Sequence, residues 1–197
     1  MKDKIKNLAI NIASIVLIDK TYLYLKAWLR GGRIPHMNNP KTLNDKVRWL
    51  ILNYRNPLQT LVVDKYAVRE YVGERIGEKH LKDLIGVYDR AEDIDFDSLP
   101  KKFVIKTNHG SGWNIICKDK DQLDTLKTKE KLSSWMNQNY YHRTKEWAYK
   151  DVIPKIICER YYADPMGRQL DEFNIFCCSG VHITCTVLYR REDTKTY

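Results

Sequence analysis

Residues 104–116 read VIKTNHGSGWNII: an apolar run ending near a lysine, five residues that are small or mimic backbone, and a second apolar run. The glycines permit positive φ and close approach of the backbone. Successive N–H groups of Asn108, His109, Gly110, Ser111 and Gly112 can therefore converge on an anion. Ser111 adds a hydroxyl, and Lys106 sets a point charge at the base of the loop. That chemistry suits a phosphate, and a plain glycine-rich hairpin turn accounts for the same residues equally well. The spacing is neither a P-loop, which needs Gly-Lys-Ser/Thr leading into a helix, nor a dinucleotide fingerprint.

Glu159 is the second candidate, because it follows the apolar run IIC. A carboxylate there can accept hydrogen bonds from a ribose or an adenine amino group, or pair with one of the many lysines as an ordinary strand-end glutamate. Asp171 and Glu172 stand at the entrance to a later apolar stretch. Hydrolytic chemistry has little support. His36, His80, His109, His142 and His182 are dispersed, no pair has metal-ligand spacing, and no GxSxG elbow occurs. His109 reads as a turn residue or a hydrogen-bond donor beside a phosphate.

These residues need elements to hold them. Residues 1–30 have helical spacing, stopped by Gly31-Gly32. A second helix starts at Thr42, with Asp45 three places on as a capping partner, and Val47, Leu50, Ile51 and Tyr54 share one face. LQTLVVDKYAVREYVGERIG predicts one further helix, ended at Gly73 and Gly77. HLKDLIGVYDR predicts a short strand, and AEDIDFDSLPKK an acidic linker. Strands near 102–107 and 113–118 flank the glycine loop as a hairpin. A helix follows, with Leu123, Leu126, Leu132 and Trp135 toward the core, then a strand at KIICERYYAD. QLDEFNIFCCSGVHITCTVLY reads as two antiparallel strands around Ser179-Gly180.

The chain has 197 residues and a formal net charge of +9, enough for one ordinary domain or two small lobes and suited to an anionic partner. A nucleic-acid partner is not expected, since basic and acidic residues alternate and no recognition motif is present. Cys117, Cys158, Cys177, Cys178 and Cys185 form no CxxC pair and read as reduced core thiols of a cytosolic protein. The N-terminal stretch is too short to span a bilayer, and its apolar spacing suits a core-facing helix. A sharper reading lays this helix on an anionic membrane surface, helped by Lys2, Lys4 and Lys6.

Taken together, the order of a lysine-ended strand, a glycine loop, a second strand, a helix, a strand ending in CER and an acidic-aromatic strand resembles an ATP-grasp fold. More narrowly, NPKTLNDKVRW, VVDKYAVREYVGERIG, LPKKFVIKTNHGSGWNII and IICERYYAD resemble the TupA-like ATP-grasp family, associated with bacterial cell-surface polysaccharide and teichuronopeptide synthesis. The matches run from about Asn39 to Gly180. The resemblance implies an α+β ATP-grasp-like fold: a helical N-terminal region over 1–95, a small antiparallel lobe with the glycine loop over 96–160, and the start of a C-terminal lobe over 161–197. It implies that Lys106 meets nucleotide phosphates under a flap formed by Asn108 to Gly112. Glu159 would be the acid at the adenine end, the backbone of Arg160 and Tyr161 would read the base, and Asp171 or Glu172 would meet the ribose.

The implied activity is ATP-dependent carboxylate–amine ligation, with a nucleotide and an acidic saccharide or carboxylate as partners, in the cytoplasm or at the inner membrane face. A glycosyltransferase of the same pathway is the competing expectation, although no DxD-type motif stands near a strand end. Two departures qualify the resemblance. Glu172-Phe173-Asn174 stands where a second phosphate-facing lysine is expected. Magnesium belongs to the family's chemistry, yet after Gly180 the only acids are Glu192 and Asp193, with no Glu-x-Asn motif. The metal half of the site is therefore expected to be missing, as in a C-terminally truncated member or a degenerate relative that holds nucleotide without turning it over.

Overall fold

The computed structural model describes residues 10, 12–164, 170, 172–178 and 181–188. The chain divides into two units, Met1–Arg160 and Tyr161–Tyr197. The first is built on a four-stranded antiparallel sheet of β1 (Leu84–Tyr88), β2 (Phe103–Thr107), β3 (Asn114–Cys117) and β4 (Ile156–Arg160), in the order β1-β4-β2-β3. Alternation along β2 decides what each face does. Phe103, Ile105 and Thr107 are fully buried on one face, while Val104 and Lys106 point to the other. On the inner face Phe103 and Ile105 join Ile156 and Cys158 of β4, Cys117 of β3, and Leu132 from the helix after the hairpin.

The stretch before β2, expected as an acidic linker, also contributes to this core. Its polar residues face out, but Ala91, Ile94, Phe96 and Leu99 are buried in the same cluster. Burial keeps both described thiols protonated: it raises the pKa of Cys117 and pushes Cys158 up to about 12.

The helices follow local signals where those signals are strong. α1 (Asp19–Gly31) ends at Gly32, whose φ of 64° lets its N–H return to the Trp28 carbonyl. α2 (Leu43–Asn53) opens with the capping box of Thr42 and Asp45. Asp45 is the buried residue of α2; of the apolar stripe expected there, Val47, Leu50 and Tyr54 are exposed and Ile51 packs against the buried cluster of Tyr22, Leu23 and Met37.

The single helix expected over LQTLVVDKYAVREYVGERIG is two: α3 (Pro57–Val63) and α4 (Val68–Ile76). Asp64 makes the break. Its carboxylate accepts from the N–H groups of Tyr66 and Ala67, offering the backbone an alternative to helical bonds. α5 (Thr125–Met136) is capped by Asp124, with Leu132 buried and Leu126 exposed, contrary to the inward position expected for Leu126. α6 (Tyr140–Thr144) follows. The second unit carries β5 (Glu172–Cys178) paired antiparallel with β6 (Val181–Leu188); Ser179, Gly180 and Asp171 lie outside the described residues.

Ile105 lies between Ile115 of β3 and Cys158 of β4 with no exposed surface. Ile105→Ala is expected to lower the unfolding free energy by about 2–5 kcal/mol through lost burial and a residual cavity. Urea unfolding followed by tryptophan fluorescence measures it, and a loss below about 1 kcal/mol would place the core elsewhere.

Candidate functional site

Antiparallel register brings the first two site residues together. Lys106 lies opposite Ile157, and Glu159 opposite Val104, so lysine and glutamate form a diagonal pair on the sheet face away from Phe103 and Ile105. Lys106 Nζ donates to Glu159 Oε2 at 2.7 Å. The side chains are only 19% and 6% exposed, so each charge has given up most of its water for the other. Removing one partner from such a pair costs far more than the pair contributes net.

A second cation meets the same carboxylate, and a third stands near it. Arg69 of α4 places Nη1 3.6 Å from Glu159 Oε1, while its Nη2 donates to the Lys82 carbonyl at 2.7 Å. Lys65 stands in the break between α3 and α4. Its Nζ donates to the carbonyls of Asn108 and Gly110, and burial, reinforced by the charge of Lys106, draws its pKa down to about 8. Asp64 and Glu159 oppose that shift without cancelling it. Arg69 and Lys106 thus pair with Glu159, while Lys65 only feels its charge. Asp64 is the other acid in reach, and one of its oxygens already serves Tyr66, Ala67 and Asn108. The surplus charge is positive, and an anion placed here relieves the repulsion between Lys65 and Lys106.

The glycine loop is more deeply tied into the fold than its composition suggests. Asn108 is fully buried: its Nδ2 donates to Asp64 Oδ1 and to the Ile153 carbonyl, both at 2.9 Å, and its Oδ1 accepts from Lys155 N–H. Its own N–H donates to the Lys155 carbonyl and is not available to a ligand. His109 is 2% exposed, with Nε2 3.2 Å from the Trp135 carbonyl and 3.1 Å from that of Gln138. Nε2 thus donates to these carbonyls, Nδ1 lies 3.3 Å from Asn108 Oδ1, and burial lowers the ring's pKa. Gly110 packs flat on the Trp113 indole, where a Cβ would overlap the ring. Ser111 and Gly112, with φ of 76° at Gly112, form the exposed tip.

At the far end of β4, the Arg160 N–H donates to the Asp83 carbonyl at 2.9 Å and its guanidinium pairs with Asp83 at 3.1 Å. That N–H, expected to read a base, is thus already engaged. A cleft of about 660 Å³ opens beside Arg69, walled by Gly73, Lys82, Asp83 and Leu84. Tyr161 begins the second unit, of Glu172 only the backbone is described, and Asp171 is outside the described residues.

Lys65 and Arg69 were missed because they look like residues of one amphipathic helix. The Asp-Lys after two valines is the local hint, since Asp competes with the backbone for helical bonds. Among the described residues no three of His, Cys, Asp and Glu converge as a metal site. Both Glu159 oxygens face cations, so the described residues do not supply a magnesium set and no metal step is derived from them.

Among known proteins, the family model described as TupA-like ATPgrasp matches residues 45–196, well over half of the chain. No curated protein and no solved structure matches it.

Glu159→Gln leaves Arg69 and Lys106 without their shared counter-charge. We expect a loss of roughly 2–3 kcal/mol, less than for a fully dry pair because Lys106 keeps some solvent. Sulfate should restore more melting temperature to the variant than it adds to the wild type at matched ionic strength. Equal sulfate gains in both proteins would show that the cations do not depend on this carboxylate.

Proposed function

The chain belongs to the TupA-like ATP-grasp family, and on that premise we propose that it binds ATP on the sheet face carrying Lys106 and Glu159. The observation that supports this reading is the surplus positive charge: Arg69 and Lys106 paired with one carboxylate and Lys65 held on the carbonyls of the loop whose exposed tip is Ser111-Gly112. Phosphoryl transfer asks a protein mainly for positioning and for neutralisation of charge on the phosphates. Lys106 and Arg69 are fixed before a ligand arrives, so little reorganisation is needed. Lys65 is partly neutral when the site is empty and gains its proton as phosphate charge enters.

ATP, when bound, supplies a phosphoryl group that activates a carboxylate for attack by an amine. In this reading the chain's part is to hold the phosphates with Lys65, Arg69 and Lys106, and to cover them with the backbone of Ser111 and Gly112. Glu159 keeps the cations in register and offers an acceptor toward the adenine amino group or the ribose. The pathway is bacterial surface-polysaccharide synthesis, with an acidic saccharide or other carboxylate as the second substrate. Work at the inner membrane face, through a peripheral contact of the N-terminal helix, belongs to the same proposal.

Calorimetric titration with a non-hydrolysable ATP analogue, with and without magnesium, tests the reading on the wild type and on Lys106→Ala. The wild type should bind. The variant should bind about tenfold or more weakly, the worth of one charge-assisted contact. Its circular dichroism spectrum should be unchanged, because Arg69 still faces Glu159. Equal affinities would remove Lys106 from the site; no binding by the wild type under either condition would overturn the ATP reading and favour the glycosyltransferase.

A further inference from the structure

A second cationic cluster lies on α1. A groove of about 600 Å³ runs between α1 and residues 137–143, lined by Lys26, Arg30, His142 and Arg143, with no acidic residue among the described residues of its walls. A smaller groove shares Lys26 and Arg30 and adds Arg48, with Glu146 the one acid among its described lining residues. Lys26 Nζ and Tyr22 Oη both donate to the Arg143 carbonyl at 2.8 Å, which fixes one wall against the other. Burial, then the charges of Arg30 and Arg143, draw Lys26 down to about 8, so the cluster repels itself. Among the described residues neither Arg30 nor Arg143 has a carboxylate partner.

Beside this groove stands a fixed aliphatic face. Residues 12–16 are helical, with Ala13 and Ser14 turned inward, and the buried Lys145 ammonium clamps the segment by donating to the Ser14 carbonyl and pairing with Asp19. The outward side carries Ile12, Ile15, Val16 and Ile18, exposed by 57%, 76%, 74% and 73%. Ile15 also lines the basic groove, so the two features are continuous. Cations alone would suit any soluble anion, and an aliphatic patch alone would suit another protein. Their adjacency matches a surface with phosphate outside and hydrocarbon immediately beneath. Before them, MKDKIKNLA carries three lysines against one aspartate.

We propose that this side of the first unit docks on an anionic lipid bilayer, with Arg30, His142 and Arg143 meeting lipid phosphates while Ile12, Ile15, Val16 and Ile18 enter the headgroup boundary. The proposal deepens the peripheral-contact part of the functional reading and does not depend on nucleotide binding.

Co-sedimentation of the full chain with vesicles tests it, comparing phosphatidylcholine alone with a phosphatidylcholine–phosphatidylglycerol mixture. The wild type should sediment with the anionic vesicles only. Two double variants at exposed positions, Arg30→Glu with Arg143→Glu and Ile15→Ser with Val16→Ser, should each weaken partitioning by about tenfold or more. Both should keep the wild-type melting temperature and ATP-analogue titration, so that failure here is separable from failure of the nucleotide reading. No sedimentation with anionic vesicles, or undiminished sedimentation of either variant, overturns the proposal. Displacement by inorganic phosphate but not by chloride of equal ionic strength, with the serine variant unaffected, would assign the groove to a soluble anion instead. A wild-type dimer in light scattering that the serine variant abolishes would assign the face to a second copy of the chain.

Discussion

A carboxylate near the end of a central strand, 6% exposed, is costly unless cations meet it there, and this need organises the first unit around Glu159. Lys106 comes from the neighbouring strand by diagonal register, so the pair exists only if β2 and β4 align as they do. A slip of one residue would turn Lys106 into the hydrocarbon core and expose Ile105. Arg69 comes from α4, and Lys65 from the break before it. One ion pair therefore ties strand register, helix placement and the electrostatics of the face to a single acid.

Asn108 performs the complementary task of holding the helical break against the sheet. Its amide joins Asp64 to Ile153 and Lys155 in the stretch before β4, two segments distant from it and from each other in sequence. The Asp64 oxygen that accepts from this amide is the one that interrupts the helix. Because Asp64 turns the chain there, Lys65 reaches the loop carbonyls. The glycine loop is accordingly rigid at its base, through Asn108, His109 and the Gly110–Trp113 contact, and open at Ser111-Gly112.

The strands and the hairpin were readable because Phe103, Ile105 and Thr107 alternate with the outward pair Val104 and Lys106, and turn residues bound the run. The start of α2 was readable for a similar reason, since its capping box is local. The break at Asp64 was not, because a helix through Val63 and Val68 satisfies the local pattern equally well and the deciding partner is Asn108. For the same reason Lys106 and Glu159 could be named from strand ends, while Lys65 and Arg69 could not. Asn108 and His109 show the reverse error: small polar loop residues suggest ligand contacts, yet their polar atoms are occupied by the chain itself. Leu126 and Val47 point outward although their spacing suits a core face, and Ile94 and Phe96 point inward from what reads as a linker.

On the proposed reading this face holds more positive charge than its own acids neutralise, and a nucleotide supplies the balance. Lys65 is its most sensitive reporter. An NMR pH titration of nitrogen-labelled lysine side chains should find, beside Lys26, a second amine titrating near about 8, the one that Lys65→Arg removes and that burial and Lys106 hold down. On addition of a non-hydrolysable ATP analogue that midpoint should move toward the ordinary lysine range, so binding near it takes up a proton and affinity falls as pH rises through it. An ordinary lysine midpoint in the free chain, or a low one that nucleotide leaves unchanged, would contradict the account.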